Sequence, residues 1–170
     1  MTDGTLETID GRPALRFERV LAYPVERVWR AVSEPKELEA WFPAAVDWKP
    51  EAGESLETLG MTGEVIEVDP PHLLAWNFNG DLYRFELSAA DQGCRLIFLH
   101  VFDNRDLAAQ TATGWSAYLS RLEPHLAGGQ VSEQDAHAGW AETHERYAES
   151  FGVDPTPGRR FAAALREGQS

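Results

Sequence analysis

Between Glu54 and Phe102 the chain is a succession of short runs in which apolar and polar residues alternate, divided by clusters of turn residues, and few folds accommodate that pattern. Glu54–Leu59, Thr62–Asp69, Leu73–Phe78, Leu82–Ser88 and Cys94–Phe102 read as strands, with another at Ala44–Trp48. Pro50 to Gly53, Gly60, Pro70-Pro71, Asn79-Gly80-Asp81 and Asp91-Gln92-Gly93 separate them. Asn79-Gly80 is a strong hairpin signal, because both residues tolerate positive φ. Strands joined this tightly pair antiparallel.

The flanks are of a different kind. Residues 1–13 read as a polar tail, and Ala14 to Ala22 as one strand. Tyr23-Pro24 breaks it, and Pro24 suits a helix start. Val25, Val28, Trp29 and Val32 give that helix an apolar face. A short second helix follows Ser33-Glu34-Pro35, turns Leu38, Trp41 and Phe42 inward, and ends at Pro43.

After the strands the period becomes helical. Asp103 or Asn104 caps a long helix that runs to about Ala127, where Gly128-Gly129 stops it. Leu107, Thr111, Gly114, Trp115, Tyr118, Leu122 and Leu126 follow three- and four-residue steps, which predicts one buried stripe. Gly114 interrupts that stripe at a cost of roughly 1 kcal/mol relative to alanine, so either a close backbone or space for a ligand is expected beside it. Ser132 and Asp135 resemble a capping box, and the helix they open carries Trp140, His144, Tyr147 and Phe151 on one side. Gly152 and Pro155 end it, and Phe161–Leu165 suggests a last short helix. The economical architecture is α+β: a curved antiparallel sheet wrapped around the long helix in a helix-grip arrangement. The division expected is a tail over 1–13, a helix-grip domain over 14–129 and a helical extension over 130–170.

Particular residues carry a family resemblance. Tyr23-Pro24-Val25-Glu26-Arg27-Val28-Trp29, then Pro35, then Trp41-Phe42-Pro43 come first. Gly63-Glu64-Val65-Ile66-Glu67-Val68-Asp69-Pro70-Pro71, Gly93-Cys94-Arg95-Leu96 and Gly114-Trp115 follow in order. The series resembles the Hsp90-ATPase-activator-homologue-1-like family of the START/Bet v 1-like superfamily, over roughly Ala14 to Gly128. The family usually places two adjacent glycines where this chain has Ala52-Gly53. The resemblance implies a helix-grip fold. It implies no single activity, since the superfamily includes lipid and hormone binders, polyketide cyclases and co-chaperone domains.

Strand parity names the walls of a site between sheet and helix. Arg95 faces water, which turns Leu96, Phe98 and His100 inward. Arg84 and Glu86 face out, leaving Tyr83, Phe85 and Leu87 inside, and Leu74, Trp76 and Phe78 form the next inner set. Leu107, Thr111, Trp115 and Tyr118 of the helix lie opposite. A site for a small apolar or aromatic molecule would have Trp29, Trp76, Phe78, Tyr83, Phe85, Phe98, Trp115 and Tyr118 as walls, with His100 and Thr111 as polar anchors. The same side chains also suit a filled core. The primary expectation is a binder without catalytic residues. The alternatives are a co-chaperone-like module that contacts an Hsp90-type chaperone, which only the resemblance suggests, and a cyclase- or hydratase-like enzyme using His100 and Tyr118 as acid–base groups.

Charge and composition narrow the partners. The net charge of −13 disfavours nucleic acid and anionic membrane surfaces. The single cysteine, Cys94, excludes an intramolecular disulfide and reads as a small buried hydrophobe. No signal core or apolar stretch of about 20 residues is present, so a soluble cytoplasmic protein is expected. No cofactor is implied: no glycine-rich phosphate loop opens a helix, His144-Glu145 lacks a second histidine at position 148, and His137 and His144 are too far apart for an i, i+4 metal pair. Ile97, Leu99 and Val101 face away from the site, which calls for cover by the C-terminal helix or another subunit. That helix is expected either to fold back on its own domain or to exchange into a homodimer.

Overall fold

The computed structural model describes residues 3–43, 51–58 and 61–168. Seven strands form one antiparallel sheet in the order β1-β2-β7-β6-β5-β4-β3. They are β1 (Thr5–Ile9), β2 (Arg12–Leu21), β3 (Ser55–Thr58), β4 (Met61–Asp69), β5 (Leu73–Phe78), β6 (Asp81–Ala90) and β7 (Gly93–Val101). The expected strand at Ala44–Trp48 lies outside the described residues. Residues 5–9, expected as part of a tail, are the edge strand. Leu6 pairs with Leu15 and packs on the core. The turn is Asp10-Gly11, with φ of 51° and 78°, the same chemistry as Asn79-Gly80 at 51° and 87°.

Two helices, α1 (Val25–Ser33) and α2 (Pro35–Trp41), follow β2. Pro24 stands at the N-cap of the first and Pro35 opens the second, where a missing N–H costs nothing. Val25, Val28 and Val32 are buried, and the Trp41 indole N–H donates to the Ala31 carbonyl at 2.8 Å. Arg27 donates to both oxygens of Glu37 at 2.8 and 3.1 Å, and the His125 Nε2 lies 2.8 Å from the same carboxylate.

The expected long helix is broken. Asn104 caps a 3-10 turn at Arg105–Leu107, its side chain accepting from the Asp106 N–H. Then come α3 (Ala108–Leu119) and α4 (Leu122–Leu126). Pro124 explains the break: it has no N–H to offer the Ser120 carbonyl, and its ring crowds the carbonyl four residues back. At the break the Arg121 Nε–H donates to the Val131 carbonyl at 2.8 Å. Leu107 falls in the 3-10 turn and is 39% exposed, so it leaves the expected stripe. Ala108, Ala112, Trp115, Leu119 and Leu122 belong to the main core, whereas Thr111, Gly114 and Tyr118 are half-buried.

Burial on α3 is not confined to the single stripe expected, because Thr113 and Ala117 are buried as well. The helix packed there is α6 (Trp140–Phe151). Ser132 caps only the short α5 (Glu133–Ala136), its side chain accepting from the Asp135 N–H, and Gly139 at φ 76° separates α5 from α6. The last helix, α7 (Thr156–Gly168), is longer than expected. The Tyr147 hydroxyl accepts from the Gly4 N–H at 2.9 Å and shares a 2.6 Å hydrogen bond with Ser116 Oγ. Arg146 grips Asp3 through two bonds of 2.7 and 3.0 Å, which hold the Asp3 carboxyl below its ordinary range. His144 is buried and stacked on Trp140, ring centroids 5.2 Å apart, and Gly158 of α7 sits against its ring.

The extension therefore lies on α3, not on the outer face of the sheet. Outside, Ile97 stands between Glu18 and Glu86, and Leu99 between Arg16 and Arg84. Ion pairs Arg16–Glu18, Arg95–Glu18 and Arg84–Glu86 run across these positions, and the aliphatic stems of the charged residues shield their apolar neighbours. Ile97 and Leu99 are half-buried and Val101 is buried. No helix among the described residues is long and apolar enough to cross a membrane.

Candidate functional site

Cross-strand register builds the inner face in rows. Trp76, Tyr83 and His100 lie opposite one another on β5, β6 and β7, and the next row is Leu74, Phe85, Phe98 and Phe17. Neighbouring strands put such rings in reach of each other. Tyr83 is sandwiched: its ring is 5.3 Å from Trp76 at an interplanar angle of 9°, and 4.3 Å from His100 at 18°. Trp115 reaches down from α3 onto this surface, edge-on to Phe98 at 4.5 Å and 6.1 Å from Tyr83. Phe42 closes another side, 5.6 Å from Trp115 and 6.2 Å from Trp76.

One polar relay crosses this aromatic layer. The Trp115 Nε1–H donates to His100 Nδ1 at 3.0 Å, and His100 Nε2 lies 2.8 Å from Asp81 Oδ2. An indole only donates, so Nδ1 must carry the lone pair and Nε2 the proton. The imidazole is therefore the neutral Nε2–H tautomer, donating to the Asp81 carboxylate. Both nitrogens of His100 are engaged in this relay. Burial, assisted by the negative charge of Asp81, pushes the Tyr83 phenol well above its ordinary value and keeps it protonated. Its hydroxyl has no hydrogen-bond partner among the described residues. Cys94 is buried as expected, and burial pushes its thiol up to about 11, which leaves it unreactive.

Of the residues expected at the site, Trp76, Tyr83, Phe85, Phe98, His100 and Trp115 come together. Phe78, at the end of β5 opposite Asp81, is half-buried against the core. Thr111 is half-buried one turn before Trp115, and its hydroxyl has no partner among the described residues. Tyr118 points elsewhere: its ring stands edge-on to His137 of the extension at 5.3 Å, because three residues beyond Trp115 a helical side chain has swung to the flank. The acid–base pair His100–Tyr118 is therefore not assembled, and Tyr83 takes the place beside His100. Trp29 packs on the core from α1 and makes no ring contact with the cluster among the described residues. Asp81 was missed as a turn residue, although it shares the inward parity of Tyr83 and Phe85. Among the described residues, its own stretch of helix aside, no atom lies within 4 Å of where a Cβ on Gly114 would stand, so close packing of another backbone does not account for this glycine. Among the described residues no group of three or more His, Cys, Asp or Glu could hold a metal ion.

Comparison with known proteins places this arrangement. Residues 22–127 match the model of the family described as Activator of Hsp90 ATPase homolog 1-like protein. No curated protein matches. The fold is similar to CalU16 from Micromonospora echinospora, at TM-score 0.72 and 21% identity over 88% of this chain and 97% of that one. It is also similar to EF2215 from Enterococcus faecalis, a conserved protein of unknown function, at 0.70 and 17% over 88% and 90%. MLL2253 from Mesorhizobium loti aligns at 0.61 and 23% over 69% of this chain and 99% of its own. The first two alignments are too long to stop at residue 129, so both reach into the helices that follow. From the matched segment and the shared α+β architecture, the chain is a member of the Activator of Hsp90 ATPase homolog 1-like family of the START/Bet v 1 superfamily.

Proposed function

We propose that the protein binds a small hydrophobic or aromatic ligand, without transforming it, between the inner face of the sheet and the Thr111–Gly114–Trp115 segment of α3. The observation that carries this reading is the missing side chain at Gly114. A glycine is retained in the middle of a helix, beside a buried tryptophan, where no neighbouring atom demands one. Thr111, three residues before it, is half-buried, as are Phe78 and Tyr83 on the inner face of the sheet, in place of a sealed layer. The Trp115–His100–Asp81 relay holds the rings of the wall in fixed orientations, which lowers the ordering cost of binding. Apolar contact supplies the affinity, at roughly 25 cal/mol per Å² buried before the costs of association. Both imidazole nitrogens being engaged argues against an acid–base enzyme. Family membership also accommodates a co-chaperone-like module, and the ligand test separates the two.

The test is titration with the neutral fluorophore N-phenyl-1-naphthylamine, read by its emission and by Tm. At a hundredfold excess over Kd, ligand is expected to raise Tm by about 5–10 °C. Gly114→Leu fills the space and is expected to abolish the emission gain while leaving the fold intact. If neither this probe nor a panel of neutral aromatics shifts Tm, the binder reading fails. A pull-down with an Hsp90-type ATPase, read as its turnover, then becomes the leading experiment.

A further inference from the structure

His144 is a buried titratable group that the ligand site does not use. It stands on α6, 2% exposed, with its ring stacked on Trp140 at an interplanar angle of 5°. Neither ring nitrogen has a hydrogen-bond partner among the described residues. Gly158 of α7 seals it. A Cβ there would meet Nε2, Cδ2 and Cε1, so the outer edge of the imidazole abuts the backbone of α7. Other contacts dock this helix as well. Arg159 donates to both oxygens of Glu145 at 2.6 and 2.9 Å, the Phe161 ring lies 5.1 Å from Trp140, and Ala162 is buried. The ion pair is exposed on both sides and so fastens weakly. Val153 is buried and its N–H donates to the Ala148 carbonyl at 3.1 Å, so Asp154 and Pro155 alone separate a fixed residue from α7. A helix of 13 residues does not persist in water without such packing.

The charges around His144 decide what a second proton would meet. Glu145 of α6 favours a charged ring, but its carboxylate is held by Arg159 of α7, which opposes one. Arg160 of α7 is exposed. Helix α3, which also touches α7, carries no charged residue, and its Tyr118 stands against His137. His137 and Glu142 line the groove beside Trp140 and Ala162, with the His137 Nδ1 2.7 Å from the Glu133 carbonyl. A second proton on His144 would put a charged N–H in a closed space with no acceptor, which burial penalises.

We propose that α7 is a latch worked by pH: neutral His144 lets it dock on α6, and a proton on His144 releases it and uncovers Trp140. In water the charged imidazole carries no such penalty. The released state therefore takes up a proton that the docked state refuses, and the balance moves toward release as pH falls through the imidazole range. The opening is local and leaves the sheet and α3 in place.

The experiment is amide hydrogen exchange on the full chain at about pH 7.5 and about pH 5, corrected for the intrinsic pH dependence of exchange. Protection over residues 156–168 is expected to fall about ten- to thirtyfold at the lower pH, the effect of one imidazole of ordinary pKa charging on release. Protection of α3 should stay within about twofold. In His144→Phe the α7 protection should be equal at both pH values, and His144→Leu serves if the larger ring displaces the helix. His137→Gln should keep the fall. Glu145→Gln should lower α7 protection at both pH values and keep the fall. The proposal is overturned by a fall that persists in both His144 variants or vanishes in His137→Gln, by α7 protection that does not change with pH in the parent, or by α7 unprotected at the higher pH. Simultaneous loss of protection in α3 and the sheet also overturns it, since α7 is then no separate unit.

Discussion

Helix α3 is buried on two faces built on different principles. Toward the sheet it presents Trp115, whose ring covers Phe98 and whose N–H is fixed by His100. Toward α6 it presents small residues, Thr113, Ser116 and Ala117, and the bulk, Tyr147 included, comes from the opposite helix. The first face gains from ring area and one polar relay. The second gains from close approach, with hydroxyl groups satisfied across the seam. Both faces lie within the segment the family model matches, but the second is completed by α6, which lies beyond it. A helix that would need one apolar stripe against the sheet alone is an interior helix here, with small residues on its back.

Substitutions on the two sides should behave accordingly. Trp115→Ala should have the largest effect, about 3–5 kcal/mol in urea unfolding, because a nearly buried indole leaves a void in a ring-packed layer. A loss under about 1 kcal/mol would mean the sheet side is loosely filled. Two helical glycines supply an opposed pair. Gly158→Ala puts a methyl into the buried His144 ring and should cost about 1–3 kcal/mol. Gly114→Ala meets nothing and should stabilise by about 1 kcal/mol. Equal signs in calorimetry would undo the distinction between a sealed seam and an open flank. Tyr147→Phe should cost about 1–2 kcal/mol, since Gly4 loses its acceptor and Ser116 a partner.

The smallest effect is pH dependence on the α6 side. Burial holds the His144 pKa below its ordinary 6.5, with Glu145 raising it and Arg159 lowering it. The unfolded chain then binds the proton more readily than the folded one. Stability from this group is complete above about pH 6.5 and is lost as pH falls through the lower folded value. Tm measured from pH 7.5 to 5 should fall less steeply in His144→Phe than in the parent. Identical slopes would show that the imidazole does not titrate against this packing.

Legibility followed the range of the forces involved. Alternation in Tyr83, Phe85 and Leu87 and in Leu96, Phe98 and His100 reports burial directly, so the inner face could be read in advance. Asp10-Gly11 carried the same hairpin chemistry as Asn79-Gly80 but lay in a polar stretch, where the single inward Leu6 was too weak a signal. Pro124 marked the helix break, yet flanking leucines kept the helical period intact on both sides. Tyr118 lies at the margin of the helix stripe, where a small rotation decides which neighbour it meets. The relay from Trp115 through His100 to Asp81 joins three elements. No local pattern encodes its distances, which depend on how the elements pack. Likewise, nothing in the helical period of Trp140, His144 and Tyr147 said whether α3 or the sheet would receive them.

The bond from Gly4 to Tyr147 spans 143 residues. A chain made from its N-terminus onward has its first strand long before the helix that holds the start of that strand. Contacts of such separation form late, because the intervening loop must close first. During synthesis the small-residue back of α3 would stand bare until the final helices emerge. A nascent chain stalled in that interval would present an adhesive helix surface, and the finished molecule would hide it by the same event that secures its beginning.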